Sequence, residues 1–102
     1  MPQIVLNTNV AKDAERDRDL CLKLTTLFSS HIGKPEAYFM VHVNSDATLS
    51  FGGSFDPAVY MKINSTAGIS REQNDKVTVE VNALLKEVLG VEANRTFMEF
   101  IP

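Results

Sequence analysis

The chain is short of most things that would make it anything other than a globular domain. One cysteine, Cys21, stands among 102 residues. That excludes an intrachain disulfide framework and any cysteine-rich zinc site. There is no tryptophan, and five glycines with four prolines are too few for a disordered or fibrous segment. No apolar run approaches the roughly 20 residues that a membrane-spanning helix needs. Met1 to Val10 lack the basic start and long apolar stretch of a secretory signal, so a reducing, cytoplasmic setting is expected. Basic residues are not in excess. Ten Lys and Arg against thirteen Asp and Glu give a net charge of -3, the wrong sign for a surface that neutralises phosphates. Neither a nucleic-acid nor a membrane partner is expected. The sequons Asn64-Ser65-Thr66 and Asn94-Arg95-Thr96 read as coincidences.

What is present is ordinary: 44% hydrophobic and 23% charged residues. A chain of this size buries roughly two-thirds of the surface its unfolded form exposes. One domain over residues 1–102 is expected. Residues 3–10 alternate as a strand, with Ile4, Leu6, Thr8 and Val10 on one face. Asp13 is a helix N-cap, with Glu15 and Asp17 in the first turn. Leu20, Leu24, Leu27, Phe28 and Ile32 recur at helical spacing, Gly33 ends the helix, and Pro35 forbids continuation. The charged run Asp13 to Asp19 reads as a solvated helix face.

Tyr38 to Val43 is a second strand, rich in aromatic and β-branched residues. Asn44-Ser45-Asp46 is a turn, Thr48 to Phe51 a short strand stopped by Gly52-Gly53, and Ala58 to Ile63 a further strand. Ser70 with Gln73 forms a capping box for a second helix, whose apolar stripe is Val77, Val81, Leu84, Leu85 and Val88. Gly90 ends that helix, and Thr96 to Ile101 is the last strand. Strand, helix, glycine, strand therefore occurs twice. The fold class is α/β: duplicated β-α-β units giving a four-stranded mixed sheet with two helices on one face. Such a sheet leaves a face that a small domain must hide, and oligomerisation is one way. Both faces of Phe39-Met40-Val41 are apolar, in keeping with covering on both sides.

Certain residues go beyond pattern. Met1-Pro2 opens into a strand, followed by Asn7-Thr8-Asn9-Val10, Gly33-Lys34-Pro35, Tyr38, Phe51-Gly52-Gly53-Ser54 and Pro57. In this order and register they resemble the macrophage migration inhibitory factor family of the tautomerase superfamily, over nearly the whole chain. The resemblance implies a keto–enol tautomerase, an isomerase of the phenylpyruvate or dopachrome type, in a homotrimer. Its substrate would be a small aromatic or α-keto acid, and no metal or organic cofactor is implied. The initiator methionine would be removed, so that the Pro2 amine becomes the catalytic base. Desolvation and a nearby cation both disfavour the charged amine, which lowers its pKa towards the working pH. If Met1 stays, Pro2 is an amide and no such base exists.

Lys34 matches the family lysine that holds the substrate carboxylate or enolate oxygen, Tyr38 a pocket-wall aromatic, and Thr66 a position whose backbone amide faces substrate. Phe97 stands where the family places a tyrosine reaching in from the neighbouring subunit. Losing that hydroxyl removes a donor worth up to about 2.7–4 kcal/mol. Glu99 replaces an asparagine; a carboxylate there would repel an acidic substrate and could pair with Lys34. A family tail beyond the last strand is not present before Pro102, so weaker pocket closure and a looser trimer are expected. The family's Cys-x-x-Cys is Ala58-Val59-Tyr60-Met61 here, which excludes a dithiol activity. Cys21 reads as an inert buried thiol.

Two other readings are weighed. A cytokine-like or host-modulating protein ligand, leaving cells without a signal peptide and bound by a protein receptor, would tolerate the changes at Phe97 and Glu99. An RNA-recognition module shares the β-α-β-β-α-β plan, but Ser50 stands where its signature has a basic residue, and the charge is negative. His31 and His42 read as solvated or core histidines, since nothing pairs them with metal-ligating residues.

Overall fold

The structure is a computed structural model that describes residues 2–65 and 70–101. The four strands are β1 (Gln3–Thr8), β2 (Met40–Asn44), β3 (Val59–Asn64) and β4 (Thr96–Ile101). The two helices are α1 (Ala14–Ile32) and α2 (Arg71–Leu89). Sheet order is β2-β1-β3-β4. β1 runs parallel to β2 and β3 parallel to β4, so each repeat keeps its own strand pair. β1 and β3 join the repeats as an antiparallel pair at the centre.

Period-2 alternation sorts the sheet into two faces. Ile4, Leu6, Val59, Met61 and Ile63 point to the helices and are buried with Leu20, Leu24, Phe28, Val77, Val81 and Leu85. Those 11 side chains set the helix orientation, because each helix buries one apolar stripe. The other sheet face is bare. It carries Gln3, Val5, Met40, His42, Tyr60, Lys62, Phe97 and Glu99, with Met40 and Phe97 each 55% exposed.

The helix boundaries match their sequence signals. Asp13 accepts from the Arg16 amide, and Gly33 closes α1 at φ 78°. Ser70 and Gln73 form the reciprocal capping box of α2, and Gly90 closes that helix at φ 70°. Four expectations are corrected. The first strand ends at Thr8, because Val10 leaves the ladder: its amide turns back to Thr8 Oγ1 and its carbonyl accepts from Asp46. The second strand starts at Met40, because Glu36–Tyr38 form a 3-10 turn behind Pro35. Thr48 to Phe51 is no strand; only the bridge Phe51–Ser54 forms. The run Asp13 to Asp19 is not wholly solvated. Asp17 is 5% exposed, held by Arg16 at 2.9 Å, Lys12 at 3.5 Å and the Ser45 hydroxyl at 2.6 Å.

Cys21 is only half-buried, with Sγ 3.8 Å from the Val41 carbonyl, and burial pushes its thiol pKa up. Among the described residues no helix is long and apolar enough to cross a membrane, and no cluster of three metal-ligating side chains occurs.

Candidate active site

Most of the motif residues turn out to be architectural. Phe51-Gly52-Gly53-Ser54 is a two-residue turn in which both glycines have positive φ, 60° and 77°. Phe51 and Ser54 exchange both backbone hydrogen bonds across it. Positive φ at both central positions is what a tight hairpin turn demands and what glycine supplies. Asn9 clasps the loop beneath. Its Nδ2 lies within 3.1 Å of the carbonyls of Leu49, Phe55 and Asp56, and its Oδ1 accepts from the Ala58 amide at 2.9 Å. Arg95 clasps the loop from the other repeat. It donates to the carbonyls of Pro57 and Asp56 at 2.9 Å each and lies 5.4 Å over the Phe51 ring. Thr8 completes the anchor by donating to the Ala58 carbonyl at 2.8 Å.

Pro2 is different. It is buried, it precedes the central strand β1, and its carbonyl accepts from the Met40 amide at 3.1 Å. The loop from Gly33 to Phe39 leads directly into Met40, so Lys34 and Tyr38 sit on the segment that enters the sheet beside Pro2. Lys34 is half-buried; its carbonyl is tied to the Ser29 hydroxyl at 2.5 Å. Tyr38 is 55% exposed, so core packing does not account for it. Pro2, Lys34 and Tyr38 therefore share one end of the sheet. Thr66 lies outside the described residues.

Phe97 does not join them. It pairs with Tyr60 in the β3–β4 ladder, at the opposite end. Gln3 pairs with Asn64, four residues beyond Tyr60, so Phe97 lies about 17 Å along the strand axis from Pro2. There it packs on Tyr60, ring centroids 5.9 Å apart, and lines an open apolar cleft of about 360 Å³ with Leu49, Phe51 and Val59. Glu99 does not pair with Lys34 within the chain; it accepts the Tyr60 hydroxyl at 2.9 Å. That hydrogen bond raises the Tyr60 phenol pKa and keeps its proton. The Tyr60–Glu99 pair was missed in the sequence because its two members are 39 positions apart. A wider groove of about 520 Å³ runs between the helices, with His31 and Glu80 paired at its rim. No motif residue reaches it, and we place no chemistry there.

Residues 1–102 match the family model for macrophage migration inhibitory factor. The chain belongs to that family. Among curated relatives, the macrophage migration inhibitory factor homologue of Trichinella spiralis is 34% identical over 101 residues, 99% of this chain and 88% of that protein. The Xenopus tropicalis macrophage migration inhibitory factor is 32% identical over 98% of this chain and 86% of its own length. The solved Trichinella spiralis structure superposes with a TM-score of 0.86 at 32% identity, over 97% of this chain and 87% of that one. A Prochlorococcus marinus homologue superposes with a TM-score of 0.89 at 23% identity, over 96% and 85%, and shows the fold alone. Two helices on one face of a four-stranded mixed sheet is thus the family architecture, and membership of the tautomerase superfamily supports an isomerase in general terms.

Proposed function

We propose that this family member is a keto–enol tautomerase acting on small aromatic or α-keto acids, with Pro2 as its base after removal of Met1. The observation that carries the reading is the position of Pro2: buried at the start of the central strand, with Lys34 on the loop entering beside it. Burial and a neighbouring ammonium both favour a neutral amine, and a neutral amine is the form that accepts a proton. The proline ring fixes the direction of the nitrogen.

In the proposed reaction the Pro2 nitrogen takes the α-proton of the substrate. The electron pair of the broken C–H bond moves into the carbonyl, and Lys34 steadies the oxygen that gains charge. Return of the proton to that oxygen gives the enol and frees the amine. General base catalysis of this kind contributes about 10²–10⁴-fold. The separation of Phe97 from Pro2 supports a pocket shared between copies, and the bare sheet face supports the assembly that would share it, a homotrimer. Phe97 would supply a ring without a hydroxyl, and Glu99 a carboxylate that disfavours anionic substrates. These two residues are what favours the second reading, a cytokine-like protein ligand with weak or lost catalysis.

The test is tautomerisation of phenylpyruvate by protein whose N-terminus is verified by mass to be Pro2. Pro2→Gly should lower kcat/KM by about 10²-fold or more. Lys34→Ala should lower kcat as well as kcat/KM, since the oxygen it steadies gains its charge during the reaction. A folded, methionine-free protein without activity overturns the enzyme reading and leaves the protein-ligand reading standing.

A further inference from the structure

We infer that Ser65 is a positioning residue for the N-terminal amine: its hydroxyl hydrogen-bonds the Pro2 nitrogen once Met1 is gone. This rests on the proposed role of Pro2 as base. Ser65 follows the last residue of β3 and is 3% exposed. Its amide donates to the Ile101 carbonyl at 3.1 Å, but among the described residues its Oγ is buried with no hydrogen-bond partner. Buried hydroxyls are paired as a rule, so the orphan needs a reason.

The register supplies one. Gln3 lies opposite Asn64, and one further step sets Pro2 opposite Ser65. The Ser65 amide turns to β4 and the Pro2 carbonyl turns to β2, so neither spends its backbone groups on the other. That is the non-hydrogen-bonded kind of antiparallel pair, with Cα atoms about 4.5 Å apart and side chains close. Alternation puts both side chains on the helix-facing side with Ile4 and Ile63, and both residues are buried. The proline nitrogen is part of the ring that stands beside the Ser65 side chain in this pair.

The orphan then has a chemical meaning. While Met1 is attached, the Pro2 nitrogen is a tertiary amide with no hydrogen and no basic lone pair, and it offers Ser65 nothing. Removal of Met1 creates a secondary amine. Neutral, it accepts from the hydroxyl; protonated, it donates to the hydroxyl oxygen. The charge-assisted form is the stronger bond, so Ser65 raises the pKa of the amine against the lowering by burial and by Lys34. Other ionisable groups on the elements around this end are Glu36 and Tyr38 on the entering loop, Arg71 and Glu72 in the first turn of α2, and His31 in the last turn of α1, paired with Glu80. Lys62 belongs to the opposite sheet face.

The experiment follows the ¹⁵N shift of Pro2 against pH in methionine-free, ¹⁵N-proline-labelled protein. Ser65→Ala should lower the pKa of the amine by about 0.5–1 unit, the gap between neutral and charge-assisted bonds. Ser65→Thr, which keeps the hydroxyl, should titrate like the parent. The acidic limb of the kcat/KM profile, where the amine becomes protonated, should move with the shift. Should Ser65→Ala not fold, Ser65→Cys keeps the volume with a far weaker partner and should shift the same way. Identical titration of parent and Ser65→Ala, or of parent and a folded Ser65→Cys, overturns the inference whatever the activity. Retained activity in Pro2→Gly overturns the role of Pro2 as base instead.

Discussion

Asn9 shows how far a residue's job can lie from what a motif suggests. It belongs to the Asn7-Thr8-Asn9-Val10 signature, yet its carboxamide serves the loop after β2 rather than substrate. Asn9→Ala strips the side-chain partner from the Ala58 amide and from the Leu49 and Phe55 carbonyls, while the Asp56 carbonyl keeps Arg95, and should cost about 1–3 kcal/mol, read as a lower urea midpoint at unchanged slope. Asp17 is the residue the sequence concealed most. Its helical neighbours are charged, so it reads as solvated; the Ser45 hydroxyl that buries it arrives from 28 positions away. Burial alone would raise its pKa, but the hydrogen bonds from Ser45 and Arg16, with the charges of Arg16 and Lys12, bring it below the ordinary value of 3.8. A depressed carboxylate stabilises the fold above its unfolded pKa, and that contribution is lost as pH falls through the folded value. Asp17→Asn should therefore be less stable at pH 7 and show a flatter loss of stability below pH 4, measured by urea titration at each pH. Pro2 and Lys34 were legible only as a match of spacing; neither carries a periodic or compositional signal of its own.

At the level of elements, the helices were read to the residue because each end is written locally. Asp13, Gly33, Ser70, Gln73 and Gly90 act within three or four positions of the boundary they set. Ser70→Ala removes the hydroxyl that accepts from the Gln73 amide, the side-chain half of the capping box at Ser70, and should cost about 1 kcal/mol, seen as a fall in melting temperature by circular dichroism. The strands were read less well, for a physical reason. Strand ends depend on partners in the ladder, and those are distant in sequence. Val10 leaves the sheet because Thr8 and Asp46 take its backbone groups. Thr48 to Phe51 alternates like a strand but is drawn off the sheet by Asn9 and Arg95. Duplicated topology was legible all the same, since two cap-helix-glycine units in tandem leave few ways to pair four strands.

For the whole molecule, the bare sheet face decides how the chain can associate. Met40 and Phe97 are its largest exposed apolar side chains and stand on its two edge strands. If this face makes the proposed trimer, Met40→Glu or Phe97→Glu should lower the mass found by sedimentation equilibrium towards that of one chain. An unchanged mass would move the interface elsewhere. The seam between the repeats has another consequence. They meet through the six residue pairs of β1 with β3 and through the helix contact, while residues 45–58 merely pass between them. That passage is gripped from both sides, by Asn9 of the first repeat and Arg95 of the second. Chain continuity there is therefore dispensable for holding the halves together. Residues 1–52 and 53–102, produced as separate polypeptides and mixed, should reassemble into one species with a single melting transition. Fragments that elute apart would mean that tethering, rather than the β1–β3 seam, joins the halves.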